Sequence, residues 1–286
     1  MDHAQFGNVS SRIRDGIDVL FDTSNPHFAA WITVHDMDKH WPTSSSGSRE
    51  DLGSPLYYAA FCGFYDVAES LIMKHPEHVN ARGGFNLFPL PAALYKGHFH
   101  VALLLYRHGA VVDVQGQYKY TPLHAASYSG QVDVMRWLLN HGADANARSR
   151  SGFTPLIEAV NTIELEAAQV LLEHSADINL PNFDGDTPLY WVLTNGRSDG
   201  KVVDIVRQLL EQGADPNICN LNYKTPLHQA SSHGSLESAQ LLLSYGAKVN
   251  EKDGGGITPF QLAASEGHND MMKLLIEHGA VPPIQT

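Results

Sequence analysis

A proline returns along most of this chain at a nearly fixed spacing, and nothing else constrains the fold as strongly. Pro55, Pro89, Pro122, Pro155, Pro188, Pro226 and Pro259 are separated by 34, 33, 33, 33, 38 and 33 residues. The sequence around them recurs too. It reads TPLHAASYSGQVDVMRWLLNHGADANA from Thr121, TPLHQASSHGSLESAQLLLSYGAKVNE from Thr225 and TPFQLAASEGHNDMMKLLIEHGA from Thr258. Self-similarity at such a period marks a stack of one supersecondary unit rather than a globule around a single centre.

Local chemistry makes each copy a helix–turn–helix. A Thr121 hydroxyl caps a helix, and Pro122 fits the first helical position, where no N–H is needed. Leu123, Ala125 and Ala126 are small or apolar, so a neighbouring helix can approach closely. Gly130 ends this first helix. Val132, Val134, Met135, Leu138 and Leu139 then form an apolar stripe at i, i+3, i+4 spacing, which predicts a second helix ending at Gly142. Residues 144–154 are polar and turn-rich and read as a hairpin, or finger, leading to the next copy. One unit cannot bury its stripe alone; stacked units can, which predicts an all-α solenoid.

The period, the Thr-Pro-Leu-His start, the Leu-Leu-x-x-Gly-Ala end and the Asn before each finger resemble the ankyrin repeat, with seven copies over residues 51–286. Three copies depart from the pattern. Phe88-Pro89-Leu90-Pro91 lacks the capping Thr and the His. The fifth copy carries a five-residue insertion around Asn195–Lys201, and the first is one residue longer at Lys74–His78. Residues 1–50 are not a repeat. Ile13, Ile17, Leu20 and Phe21, then Phe28, Trp31 and Ile32, lie at helical spacing, and TSSSGS reads as a linker. This segment is expected to be a helical N-terminal cap. HFAAWITVHDMDKHW followed by SPLYYAAFCGFYDVAESLIMKHPEHVNARGG resembles the join in fungal proteins that carry ankyrin repeats after a NACHT NTPase.

Composition narrows the function. Net charge is −12, from 31 acids against 19 bases, which argues against a nucleic-acid binder or a polybasic membrane anchor. No apolar run approaches the ~18 residues of a spanning helix, and no signal peptide is recognisable at the N-terminus. Two cysteines, Cys62 and Cys219, exclude a disulfide-stapled scaffold and fit a reducing, cytoplasmic setting. Residues 1–150 are net −2 and residues 151–286 net −10, so the C-terminal half favours a neutral or basic partner.

Catalytic and metal signatures are weak. The nearest string to a phosphate loop, Gly196-Arg-Ser-Asp-Gly200-Lys201-Val202, has the wrong spacing and lacks the magnesium-binding hydroxyl. Most of the 16 histidines follow repeat position. Equivalent residues of adjacent repeats lie about 8–10 Å apart, too far to share one zinc with contacts near ~2.1 Å. No G-x-S-x-G elbow exists. Cys62 reads as an ordinary surface position. No cofactor, metal site or catalytic residue is expected.

The resemblance implies a ligand on the concave face made by finger tips and first helices. Two residues before the inter-helix glycine stand Phe61, Tyr95 and Tyr128, then Asn161, Thr194, Ser232 and Ser265. A neighbouring position holds Tyr58, Ala92, Ala125, Glu158, Trp191, Gln229 and Leu262; an acid and an indole are unusual on a packed helix. The fingers offer Phe85, Leu87, Tyr118, Tyr120, Phe153, Phe183, Asp184, Asp186, Leu221 and Ile257. The candidate binding set is Phe61, Tyr95, Tyr118, Tyr120, Tyr128, Phe153, Glu158, Phe183, Asp184, Asp186 and Trp191. Aromatic rings give large contact area at low entropic cost. The leading expectation is a monomeric, non-enzymatic module for a protein or peptide, with Glu158, Asp184 and Asp186 selecting a basic or hydrogen-bond-donating group. The alternatives are a binder of a small hydrophobic molecule, or an enzyme orienting one for proton transfer or cyclisation, and a self-assembling scaffold.

Overall fold

The computed structural model describes residues 54–82, 88–194 and 200–282. The expected N-terminal cap and linker, Phe85 and Leu87, and insertion residues 195–199 lie outside them. The described residues form seven helix pairs and no strand. The pairs are α1 Pro55–Cys62 with α2 Tyr65–Lys74, α3 Pro89–Tyr95 with α4 Phe99–Arg107, and α5 Pro122–Tyr128 with α6 Val132–Asn140. They continue as α7 Pro155–Asn161 with α8 Leu165–Glu173, α9 Pro188–Val192 with α10 Gly200–Glu211, α11 Pro226–His233 with α12 Leu236–Ser244, and α13 Pro259–Ser265 with α14 Asn269–Glu277. Every first helix begins on its repeat's proline. Thr121, Thr154, Thr187 and Thr258 each accept a hydrogen bond from the backbone N–H three residues on, satisfying a donor that the helix itself leaves free.

The chain divides into two compact units, Met1–Gln117 and Tyr118–Thr286. In the first, α1 packs on α3 and α2 on α4. Leu56, Ala59, Ala60, Leu90, Ala92 and Ala93 are fully buried between them. The longer first repeat is accommodated by a 3-10 helix, Pro76–Asn80. Its Asn80 clasps the end of the next repeat, donating to the Gly109 carbonyl and accepting from Val111 N–H, both at 2.9 Å.

The second unit stacks α5, α7, α9, α11 and α13 as one layer and α6, α8, α10, α12 and α14 as another. The asparagine clasp repeats: Asn146 holds Ser175 and Asp177, Asn217 holds Gly246 and Lys248, and Asn250 holds Gly279 and Val281. Three of the fingers are tight turns, each closed by one polar side chain. Asn182 Oδ1 accepts from Asp184 and Asp186 N–H, Asn220 Oδ1 from Asn222 and Lys224, and Asp253 Oδ1 from Gly255 and Ile257. Successive fingers are joined by single backbone hydrogen bonds, Arg150 N to Tyr118 O at 2.6 Å, Phe183 N to Ser151 O at 3.2 Å, Leu221 N to Asp184 O at 2.9 Å and Gly254 N to Asn222 O at 2.8 Å. Glycine is required at two of these turns. Gly152 and Gly185 have φ of +79° and +83°, and a Cβ on either would meet the next finger's backbone nitrogen within 3 Å.

Candidate functional site

The Thr-Pro-Leu-His histidines are structural. His124 and His228 are fully buried. In each, Nδ1 accepts from the backbone N–H of the capping threonine, at 3.2 and 3.1 Å. Nε2–H donates to a carbonyl of the next finger, Phe153 O at 2.9 Å and Ile257 O at 3.1 Å. Both ring nitrogens are used in the neutral form, and burial holds both imidazoles below their ordinary pKa. His141, His174 and His278 turn Nδ1 onto the carbonyl four residues back and finish their helices. Among the described residues, no three His, Cys, Asp or Glu side chains converge as metal ligands.

Four of the candidate residues meet in pairs that share one geometry. The residue leaving a finger reaches the first helix of the following repeat. Tyr120 OH donates to Glu158 Oε1, and the Phe153 ring lies edge-on to Trp191 with centroids 4.8 Å apart. Trp191 Nε1–H donates to Asn161 Oδ1 at 3.2 Å, so the indole spans α7 and α9. Tyr120 also packs on the His124 ring at 4.9 Å. Glu158 is 4% exposed, and burial raises its pKa, partly offset by the Tyr120 hydroxyl. Burial, then the Glu158 hydrogen bond and charge, push the Tyr120 phenol well above its ordinary range. The result is a sheltered acid and phenol beside a half-buried indole. Tyr128 is more than half exposed on α5.

The fingers present their own apolar row. Tyr118, Phe183, Leu221 and Tyr223 are exposed, and the Arg148 guanidinium covers one face of Phe183 at 4.7 Å. Asp184 is exposed beside Phe183. Asp186 is not on this surface, contrary to expectation. It is buried at the finger base, where its carboxylate accepts from Asn182 Nδ2 at 3.4 Å and Asn220 Nδ2 at 2.9 Å. Two uncompensated amides would otherwise be buried there, so this acid holds two fingers together. Tyr223 was not among the sequence candidates. It occupies the turn position that is glycine at 152, 185 and 256, and it holds φ at +58°. A tyrosine where three sister repeats have glycine is the signal that marks it.

Phe61 and Tyr95 belong to the first unit. There the Lys96 ammonium lies over both rings, 4.6 Å from Phe61 and 5.3 Å from Tyr95, a cation–π contact that spacing alone did not reveal. The half-buried Cys62 thiol is pushed up to about 11 by burial, partly offset by Lys96, so it is protonated at neutral pH. A nucleophilic cysteine needs the opposite shift.

This arrangement can grip apolar and hydrogen-bonding groups on finger tips and first helices. No helix of the described residues is long and apolar enough to cross a membrane. Among solved structures, the ankyrin repeat domain of Bcl-3, a member of the IkappaB protein family, resembles the chain with a TM-score of 0.69. Sequence identity is 28%, over 77% of this chain and 98% of that one. A comparison with curated proteins finds no match. A family model for ankyrin repeats in three copies matches residues 56–149 and 198–286, and one for ankyrin repeats in many copies matches residues 141–189. With most of its length matched, the chain belongs to the ankyrin-repeat family, whose domains are protein–protein interaction modules.

Proposed function

We propose that this chain is a non-enzymatic recognition module that holds a protein or peptide across the finger tips and first helices of residues 118–286. The observation that carries this reading is the finger turn. Lys119, Gly152, Gly185, Tyr223 and Gly256 all adopt positive φ at the same position. Tyr223, and Tyr118 beside Lys119, keep an exposed aromatic ring on left-handed backbone. A non-glycine residue held there costs about 1–3 kcal/mol. Stability alone favours glycine, so the rings are retained for what they touch. Tyr128, Trp191 and Phe183 extend the aromatic contact, and Asp184 with the net charge of −10 over residues 151–286 favours a neutral or basic partner.

From the likeness that residues 27–41 and 54–84 bear to fungal NACHT–ankyrin junctions, we infer a place in the sensor half of a larger cytoplasmic recognition protein.

The test is affinity capture with the purified chain, in parallel with Tyr128→Ala/Trp191→Ala and Tyr223→Gly variants shown to unfold cooperatively. One protein retained by wild type and lost by both variants supports the module. A small molecule that co-purifies with wild type, with no protein, overturns it in favour of a metabolite binder or enzyme.

A further inference from the structure

We propose that Glu158, with Tyr128 and Trp191 on either side, receives the ammonium of one lysine side chain of the bound protein or peptide, an inference that rests on the recognition-module reading and specifies its contact. Equivalent residues of adjacent repeats sit side by side on packed first helices. α5, α7 and α9 therefore place Ala125, Glu158 and Trp191 in one row and Tyr128, Asn161 and Thr194 in the next. Asn161 lies one turn beyond Glu158 on the same face of α7. Trp191 Nε1–H donates to Asn161 Oδ1 at 3.2 Å, which brings the indole to that face. Ala125, beside Glu158 in the row, is exposed, and its small side chain leaves the approach open.

Two independent observations point to a cation. The first is the carboxylate itself. Glu158 is 4% exposed, and its Oε1 accepts from Tyr120 OH. Its Oε2 has no hydrogen-bond partner among the described residues, yet it is not sealed from solvent. A carboxylate buried with one oxygen unmatched is costly until a donor reaches it from outside. The second observation lies in the first unit. The column that continues as Tyr128 holds Phe61 and Tyr95 there, and the Lys96 ammonium sits 4.6 Å and 5.3 Å from their ring centres. The positions equivalent to Lys96 are Ser129 after Tyr128 and Thr162 after Asn161. Among the described residues, no cation lies over Tyr128 or Trp191 or pairs with Glu158. The chain supplies its own lysine to the rings of the first two repeats and supplies none where an acid joins the rings. Lysine fits this seat better than arginine. A guanidinium pairs best through its fork on both carboxylate oxygens, and Tyr120 holds one of them. An ammonium is a point charge that needs one oxygen, has further hydrogens for the remaining lone pair of Asn161 Oδ1, and is attracted to aromatic faces.

The probe is the blocked tripeptide acetyl-Gly-Lys-Gly-amide, titrated into the full isotope-labelled chain while the Trp191 indole N–H signal is followed by NMR, its assignment fixed by Trp191→Phe. Half-saturation near about 1 mM is expected from one charge-assisted hydrogen bond and one cation–π contact. The norleucine counterpart, which lacks only the ammonium, should give no saturable shift, and the arginine counterpart should bind several-fold more weakly. Glu158→Gln keeps the shape and the acceptor for Tyr120 and should weaken the lysine peptide at least about tenfold, since close charge pairs carry this much coupling. Glu237→Gln makes the same charge change at an exposed position of α12 and should shift it less than about twofold. Tyr128→Ala should weaken it several-fold. Signals far from residue 158 that stay in place show that each variant keeps the fold. No saturable shift by about 10 mM, an equal response to norleucine, equal binding of arginine, or undiminished binding by Glu158→Gln would each overturn the lysine seat. These outcomes leave the module reading standing, because affinity capture tests that reading without a lysine probe. Capture of no protein beside an intact lysine titration strikes the module instead.

Discussion

His228 and Glu158 occupy adjacent positions of the repeat, on first helices of the same unit, and both are buried titratable groups. Their surroundings differ. His228 spends one ring nitrogen on Thr225 and the other on Ile257, linking its own helix cap to the next finger. Glu158 has Tyr120 OH as its hydrogen-bond partner and, among the described residues, no cation that lowers its pKa, which burial raises. The histidine is buried because the fold needs it. The glutamate is buried at the fold's expense, since an uncompensated charge is disfavoured there. In a repeat array this contrast separates roles: a residue that obeys the pattern and has every polar atom matched is structural, and one that breaks the pattern at a cost is a candidate for recognition.

The sharpest way to break this contrast is His228→Leu. It strands the Thr225 N–H and the Ile257 carbonyl at once, so a loss of about 3 kcal/mol is expected from the cap and the buried acceptor together. Urea unfolding measures it; a loss below ~1 kcal/mol would mean that the imidazole is dispensable. Asp186→Leu should come next, at about 2 kcal/mol, because it frees two buried amide donors, Asn182 Nδ2 and Asn220 Nδ2. If Asp186 instead served the partner, its substitution would spare stability and abolish capture. Tyr223→Gly should move the other way, gaining about 1 kcal/mol as the left-handed strain is relieved. A gain in stability with undiminished partner capture would remove Tyr223 from the binding face.

These cases show what the sequence made legible. The proline phase located all seven first helices, because proline tolerates few helical positions other than the first turn. Trp191 and Glu158 stood out because an indole and an acid are unusual on a packed helix. Asp186 was misread, since an acid in a turn looks exposed until Asn182 and Asn220 close on it from two different fingers. Lys96 over Phe61 and Tyr95 was illegible because a lysine beside a glycine reads as a helix end. Tyr223 was legible in principle: it stands three residues before Pro226, as Gly152, Gly185 and Gly256 stand three residues before Pro155, Pro188 and Pro259, and is the tyrosine of a glycine column.

The smallest effect expected is also the most specific to the comparison. Glu158→Gln preserves the shape and the acceptor for Tyr120 OH but cannot ionise. In wild type the folded-state pKa of Glu158 lies above its unfolded value of 4.5, so the folded chain binds a proton more tightly than the unfolded chain. Its contribution is therefore fully present below that unfolded value and is lost as pH rises through the folded pKa. Glu158→Gln should match wild type near about pH 4 and be the more stable of the two near about pH 7. His124 and His228, both held low by burial, destabilise either protein as pH falls below 6.5, and this common slope cancels in the difference. Denaturant midpoints for both proteins across this range give the difference curve. A flat curve, or wild type the more stable at neutral pH, would show that Glu158 is as well matched as His228 and that the contrast between them does not hold.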